Sequence, residues 1–165
     1  MEWRRLFRHL FATRHGMRAN FDERVLNAIE QAVRASEAQH RGEIRFAIEG
    51  ALHAAAVWAG ATAASRAKRV FGELDVWDTE LNNGVLVYVL IADRAVEIVA
   101  DRAFAGRVEA AEWRAACLAM ETQFRQGRYL EGAVAGIEAV GRIIARHFPA
   151  ASGGPNELAD RPTLL

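Results

Sequence analysis

Residues 84–91 read Gly-Val-Leu-Val-Tyr-Val-Leu-Ile, with no charged side chain in the run. A short apolar run rich in β-branched residues predicts a strand covered on both faces, and hence central in a sheet. The next apolar segment, ending at Ala100, follows the brief turn Ala92-Asp93-Arg94, which predicts a hairpin. Upstream, residues 43–49 alternate, with Ile44, Phe46 and Ile48 on one side and Arg45 and Ala47 on the other. That pattern predicts a third strand, placed towards an edge because one of its faces is polar.

Elsewhere the period is helical. Trp3, Leu6, Phe7, Leu10 and Phe11 share one face of a short N-terminal helix, opposite Arg4, Arg5, Arg8 and His9, with Gly16 as its terminator. A second helix, about 22–39, starts from a cap at Asn20 or Asp22 and buries Val25, Ile29, Val33 and Ser36. A third runs from a Thr62 cap to about Gly72. Two more follow the hairpin. One carries Trp113, Cys117, Met120 and Phe124; the other carries Leu130, Val134, Ile137, Val140 and Ile144 and stops at Pro149. Residues 51–60 are alanine-rich and ambiguous, and the tail after 150 has no period.

A helix crossing between strands 43–49 and 84–91 makes them parallel by the usual right-handed connection, and the hairpin makes 95–100 antiparallel to 84–91. The expected fold is α/β, a three-layer α/β/α sandwich with a small mixed central sheet. The chain then divides into a basic amphipathic helix over 1–20, the α/β/α domain over 21–149 and an irregular tail over 150–165.

This topology has a chemical consequence. The starts of strands 43–49 and 84–91 and the finish of strand 95–100 fall on one rim. The rim collects His40, Glu43, Asp78, Thr79, Glu80, Asn82, Asn83, Asp101 and Arg102. Carboxylates beside amide and hydroxyl oxygens suit a hard cation, Ca²⁺ or Mg²⁺, with Glu43, Asp78, Asn83 and Asp101 as the candidate ligands. The same carboxylates with His40 and Arg102 can bind and protonate a phosphate ester, with Asp78, Asp101 and Arg102 as the candidate catalytic residues. The competing reading is structural: Asp and Asn form turns, and Asp101 can simply cap the helix that follows.

Composition changes this picture little. The 165 residues are 52% apolar and 25% charged, enough for one domain with a real core. Arginine plus lysine equals aspartate plus glutamate at 21 each, and no basic patch with interleaved aromatics exists beyond the first helix, so nucleic acid is not expected. Cys117 is the sole cysteine, which excludes an internal disulfide and a cysteine zinc site. Its apolar stripe marks it as a core residue rather than a nucleophile. Phosphate-loop, dinucleotide, serine-hydrolase and HExxH signatures are all missing. No apolar run reaches membrane-spanning length and no signal peptide is read. The expected compartment is the cytoplasm, with peripheral membrane contact through residues 3–11 as the alternative use of the first helix.

The segments 40–49 (HRGEIRFAIE), 71–91 (FGELDVWDTELNNGVLVYVLI) and 93–102 (DRAVEIVADR) closely resemble the TPM-domain family. The helices around Trp113, FRQGRYLEG at 124–132, HFP at 147–149 and the NELADRP tail resemble its stand-alone bacterial branch. The resemblance implies the same α/β/α fold. For some relatives it implies divalent-cation binding and an acid phosphatase activity, and for others an accessory role towards a protein partner in membrane complexes. This chain departs from the pattern at Thr79-Glu80-Leu81-Asn82-Asn83, where lumenal relatives carry a TGNE-type turn, and at Ala103-Phe104, where Gly-Ile is usual.

Overall fold

The structure is a computed structural model, and it describes residues 2–11, 14–150 and 156–165. Parts of the predicted N-terminal segment (1, 12 and 13) and of the tail (151–155) lie outside the described residues. Helices α1 (Glu2–Phe11), α2 (Arg14–Asn20) and α3 (Glu23–Glu37) lead into strand β1 (Glu43–Glu49). Helices α4 (Ala54–Trp58) and α5 (Ala63–Glu73) precede strands β2 (Gly84–Leu90) and β3 (Ala95–Ala100). Helices α6 (Ala110–Arg125) and α7 (Tyr129–His147) follow, and a two-residue strand β4 (Thr163–Leu164) ends the chain.

The sheet order is β3-β2-β1-β4. β2 lies parallel to β1 and antiparallel to β3, as the crossover and hairpin require. Every residue of β2 is buried, as its unbroken apolar run predicts. Ile44, Phe46, Ile48, Val85, Val87 and Val89 join the core shared with α3, α6 and α7. Ala47, Leu86, Tyr88 and Leu90 face the opposite way, onto α4 and α5. The result is the expected α/β/α sandwich.

Local chemistry sets the helix starts. Asp22 accepts from the Val25 N–H at 3.0 Å, and Thr62 and Ser65 form a reciprocal capping box on α5. Gly16 does not stop a helix but lies within α2.

β1 is not an edge strand. The final residues, read as a loose tail, run parallel to it and pair at Ala47 and Ile48. The polar face of β1 is buried because each charged side chain there has a partner. Arg45 donates to the carbonyls of Ala159 and Arg161, and Glu49 accepts from the Tyr88 hydroxyl at 2.7 Å and from Arg66 at 2.8 Å. Alternation alone cannot distinguish a solvated polar face from one neutralised by partners distant in sequence.

The orientation of α1 also differs from the amphipathic expectation. Of its polar side, Arg5 and His9 turn inward, while Arg4 and Arg8 stay exposed. Arg5 grips both oxygens of Asp93, while His9 accepts the Leu52 N–H at 3.0 Å and lies 3.1 Å from Asp93. Of the apolar stripe only Leu6 packs against the core; Trp3, Phe7, Leu10 and Phe11 are exposed.

Candidate functional site

The rim predicted from topology exists. Glu43 pairs with Gly84 at the start of the parallel ladder, and Val85 pairs with Ala100 at the finish of β3. Two loops meet there, residues 75–83 before β2 and residues 101–104 after β3.

Left-handed backbone at Asp75 and Asn82 lets the first loop turn sharply. Within it, the Asn82 N–H donates to the Thr79 carbonyl and the Asn83 N–H donates to the Thr79 hydroxyl at 3.1 Å. Gly84 lies flat against the Val76 carbonyl, leaving no room for a Cβ. The second loop is stapled to the first. The Asp101 N–H donates to the Gly84 carbonyl at 2.9 Å, the Ala103 N–H donates to the Asn82 carbonyl at 3.1 Å, and the Arg102 guanidinium donates to Asn82 Oδ1.

Asp101 plays the structural part foreseen for it, capping the short 3-10 turn Arg102–Phe104 through Oδ1, which accepts the Arg102 N–H at 2.7 Å. Its other oxygen, Oδ2, is buried without a hydrogen-bond partner. Asn83 is buried too. Its Nδ2 donates to the Arg41 carbonyl at 2.7 Å, and its Oδ1 is likewise buried and unpartnered. Buried oxygens of this kind are uncommon and costly, and an unseen ion or water is a usual reason for them.

The other candidate ligands belong to a second cluster on the same rim. Glu43 points to the α5 side of β1, where its Oε2 accepts the Leu158 N–H at 3.1 Å, and burial raises its pKa. Asp78 lines a groove with Arg45, Asp75 and residues 157–159, which Asp101 does not line. The structure thus joins Asn82, Asn83, Asp101 and Arg102, and joins Glu43 and Asp78 separately around the C-terminal segment. Among the described residues, no three His, Cys, Asp or Glu side chains converge as a metal-holding group.

Several residues of this second cluster were not singled out by the sequence. Glu37, at the end of α3, accepts the Ile44 N–H at 2.7 Å. Burial first of all, then Glu43 and Asp160 nearby, push its pKa up to about 8, although the Ile44 N–H acts against them. Asp160 is buried against Arg34 at 2.7 Å and Asn156 at 2.7 Å, and Glu157 accepts the Glu80 N–H at 2.9 Å. The only signal in the sequence was the density of acids in Asn156-Glu-Leu-Ala-Asp160. It carries no partner information without coordinates.

His40 bonds Ser36 Oγ through Nε2 at 3.0 Å, and burial holds its pKa down at about 4, so it is a neutral core residue. Cys117 is buried, as its apolar stripe predicts, and burial pushes its thiol up to about 11. Trp77 is exposed and does not cover the core; Val76 does.

Among the described residues, no helix is long and apolar enough to cross a membrane. The family profile described as TPM domain matches residues 19–143. The NMR structure of the BA42 protein from the psychrophilic bacterium Bizionia argentinensis is similar to this chain at 31% identity and a TM-score of 0.75, covering 86% of this chain and 93% of that one. No curated protein matches. With the profile spanning the three long strands β1 to β3 and both stapled loops, the chain belongs to the TPM-domain family.

Proposed function

We propose that this TPM domain is a binding module that takes a hard divalent cation, Ca²⁺ or Mg²⁺, where the Asn82–Asn83 and Asp101–Arg102 loops meet, and presents the loaded rim to a protein partner. The carrying observation is the pair of buried oxygens, Asn83 Oδ1 and Asp101 Oδ2, that lack any hydrogen-bond partner. Both are hard oxygen donors, one neutral and one anionic, and the loops that bear them are tied together by backbone hydrogen bonds. They fit a cation that completes its shell with backbone carbonyls and water. The bound ion supplies positive charge that compensates Asp101. The chain's own part is to hold the two loops at fixed spacing.

One carboxylate makes a weak site, with a Kd of about 10⁻⁴–10⁻³ M, the range of low-affinity calcium modules. Isothermal titration with CaCl₂ and with MgCl₂ is expected to show binding in that range, and Asp101→Asn is expected to weaken it at least about tenfold, since it removes the only charged donor. No heat and no thermal shift at millimolar metal would remove the cation from this reading.

The alternative is a metal-dependent phosphatase acting on phosphate monoesters, with Asp101 or Asp78 as acid and Arg102 on the phosphoryl oxygens. What favours it is the exposed Arg102 guanidinium on the Asp101 side of the rim, anchored to Asn82. It predicts metal-dependent phosphate release from p-nitrophenyl phosphate that drops at least about tenfold in Asp101→Asn. Release that is indifferent to this substitution belongs to a contaminant.

A further inference from the structure

We propose that the outward face of α1, together with Trp58 of α4, is a docking surface for an anionic membrane, and that the arginine-lined cleft beside it receives lipid phosphates. The exposed face carries Trp3 at 62% exposure, Phe7 at 52%, Leu10 at 57% and Phe11 at 75%, with Trp58 at 68%. Trp3 and Trp58 meet edge to face at 5.7 Å, and Phe7 stacks on Phe11 at 6.3 Å, so the two helices offer one continuous aromatic surface. A patch of this kind on a folded protein marks an interaction site.

The helix is not free to turn this face inward. Its inner side is spoken for by the Asp93 pairs of Arg5 and His9 and by the Leu52–His9 hydrogen bond. Detaching it would strand Asp93, which is mostly buried, without its cations.

Chemistry selects the occupant. Residues 3–11 contain no acid, and the polar edge of the exposed face carries Arg4 and Arg8, both exposed. Tryptophan and phenylalanine flanked by arginine form the composition of helices lying in a lipid interface, where rings sit at headgroup depth and guanidinium groups reach phosphate. Arg8 also lines the adjoining cleft, of about 520 Å³, with Arg94, Arg125, Asn20, Phe124 and Tyr129. Arg8 and Arg125 each share a carboxylate, Asp93 and Glu121, that another arginine already holds. Arg94 has no acidic partner among the described residues. The cleft therefore keeps positive charge beside the aromatic face, which complements a lipid phosphate.

The test is co-sedimentation of the full chain with phosphatidylcholine vesicles and with vesicles of equal phosphatidylcholine and phosphatidylglycerol. The protein is expected to pellet with the anionic vesicles and to stay in solution with the neutral ones. Phe7→Ser with Phe11→Ser is expected to lower the partition at least about tenfold, since both rings would leave the interface. Arg94→Ala is expected to lower it about fivefold, the worth of one arginine near an anionic surface. All three side chains are exposed, so circular dichroism melting should match the wild type. Failure to pellet with anionic vesicles overturns the proposal, as does equal pelleting with neutral ones or binding unchanged in the double variant. So does a dimer in sedimentation equilibrium that the double variant dissociates, because a second copy would then be the occupant.

Discussion

Gly84→Ala is expected to be the most damaging single-methyl substitution in this chain, costing about 3 kcal/mol or more of stability. A Cβ at this position would lie 2.0 Å from the Val76 carbonyl oxygen. That neighbour is backbone, so no rotamer change relieves the overlap. Either the loop lifts away from the sheet or β2 shifts its register. Lifting the loop would withdraw buried Val76 from the core and pull Asn82 and Asn83 away from the Asp101 turn. In a domain of this size the loss corresponds to a fall in Tm of about 6–12 °C. Gly72→Ala is the control. It lies inside α5 with nothing within 4 Å of the added methyl, and alanine there should stabilise by about 0.5–1 kcal/mol. Calorimetry of both variants decides the matter. A Gly84→Ala protein melting within about 2 °C of the wild type would show that the loop yields freely. In the damaged variant the millimolar calcium response should vanish with the loop.

Stability is also expected to fall as the pH rises from about 6.5 to about 8, and Glu37→Gln should flatten that decline. The ordinary carboxyl pKa of Glu37 is 4.5, and in the fold burial keeps its proton on until about pH 8. The folded state therefore binds a proton that the unfolded chain has already released. Its stabilising contribution is complete below pH 4.5 and is lost as pH climbs towards 8. Glu43, also raised by burial, has the same sign. His40 has the opposite one: from an ordinary 6.5 it is held at about 4, so its contribution is present above 6.5 and lost as pH falls. The two slopes oppose each other between 4.5 and 6.5, and Glu37 dominates above. At about 1.4 kcal/mol per unit, the interval from 6.5 to 8 is worth about 2 kcal/mol, or about 4–8 °C in Tm.

In Glu37→Gln the amide oxygen can still accept the Ile44 N–H, and the amide nitrogen can donate towards Asp160 as the protonated acid does. It has no proton to lose. Melting curves at pH 6.5 and 8 for both proteins test this. Parallel declines in the wild type and the variant would place the titrating group elsewhere.

The C-terminal segment explains why this acid cluster matters to the site. Glu43, Arg45, Glu80 and Arg34 all bind residues 157–160, so the segment covers one half of the rim while the Asn83–Asp101 half stays free of it. Docking of that segment and proton binding by Glu37 are linked through Asp160. Any cation response of the rim should accordingly be compared at a fixed pH.

Periodicity and residue type were enough for the three long strands and the main helices, for the parallel and antiparallel pairings, and for the rim on which the two loops meet. These are decided locally or by chain connectivity: β2 is apolar throughout because it is covered twice, and a crossover helix leaves few ways to bring β1 beside it. Which acids stand free and which are held was decided only in three dimensions. Glu43 is held by a backbone amide 115 residues away, and α1 turns Arg5 and His9 rather than its aromatic residues to the body because they meet Asp93, 88 residues beyond Arg5. Hydrogen bonds and ion pairs reach only a few ångströms and act irrespective of separation along the chain. A sequence pattern shows which groups need partners, but the packed chain determines which partner each one meets.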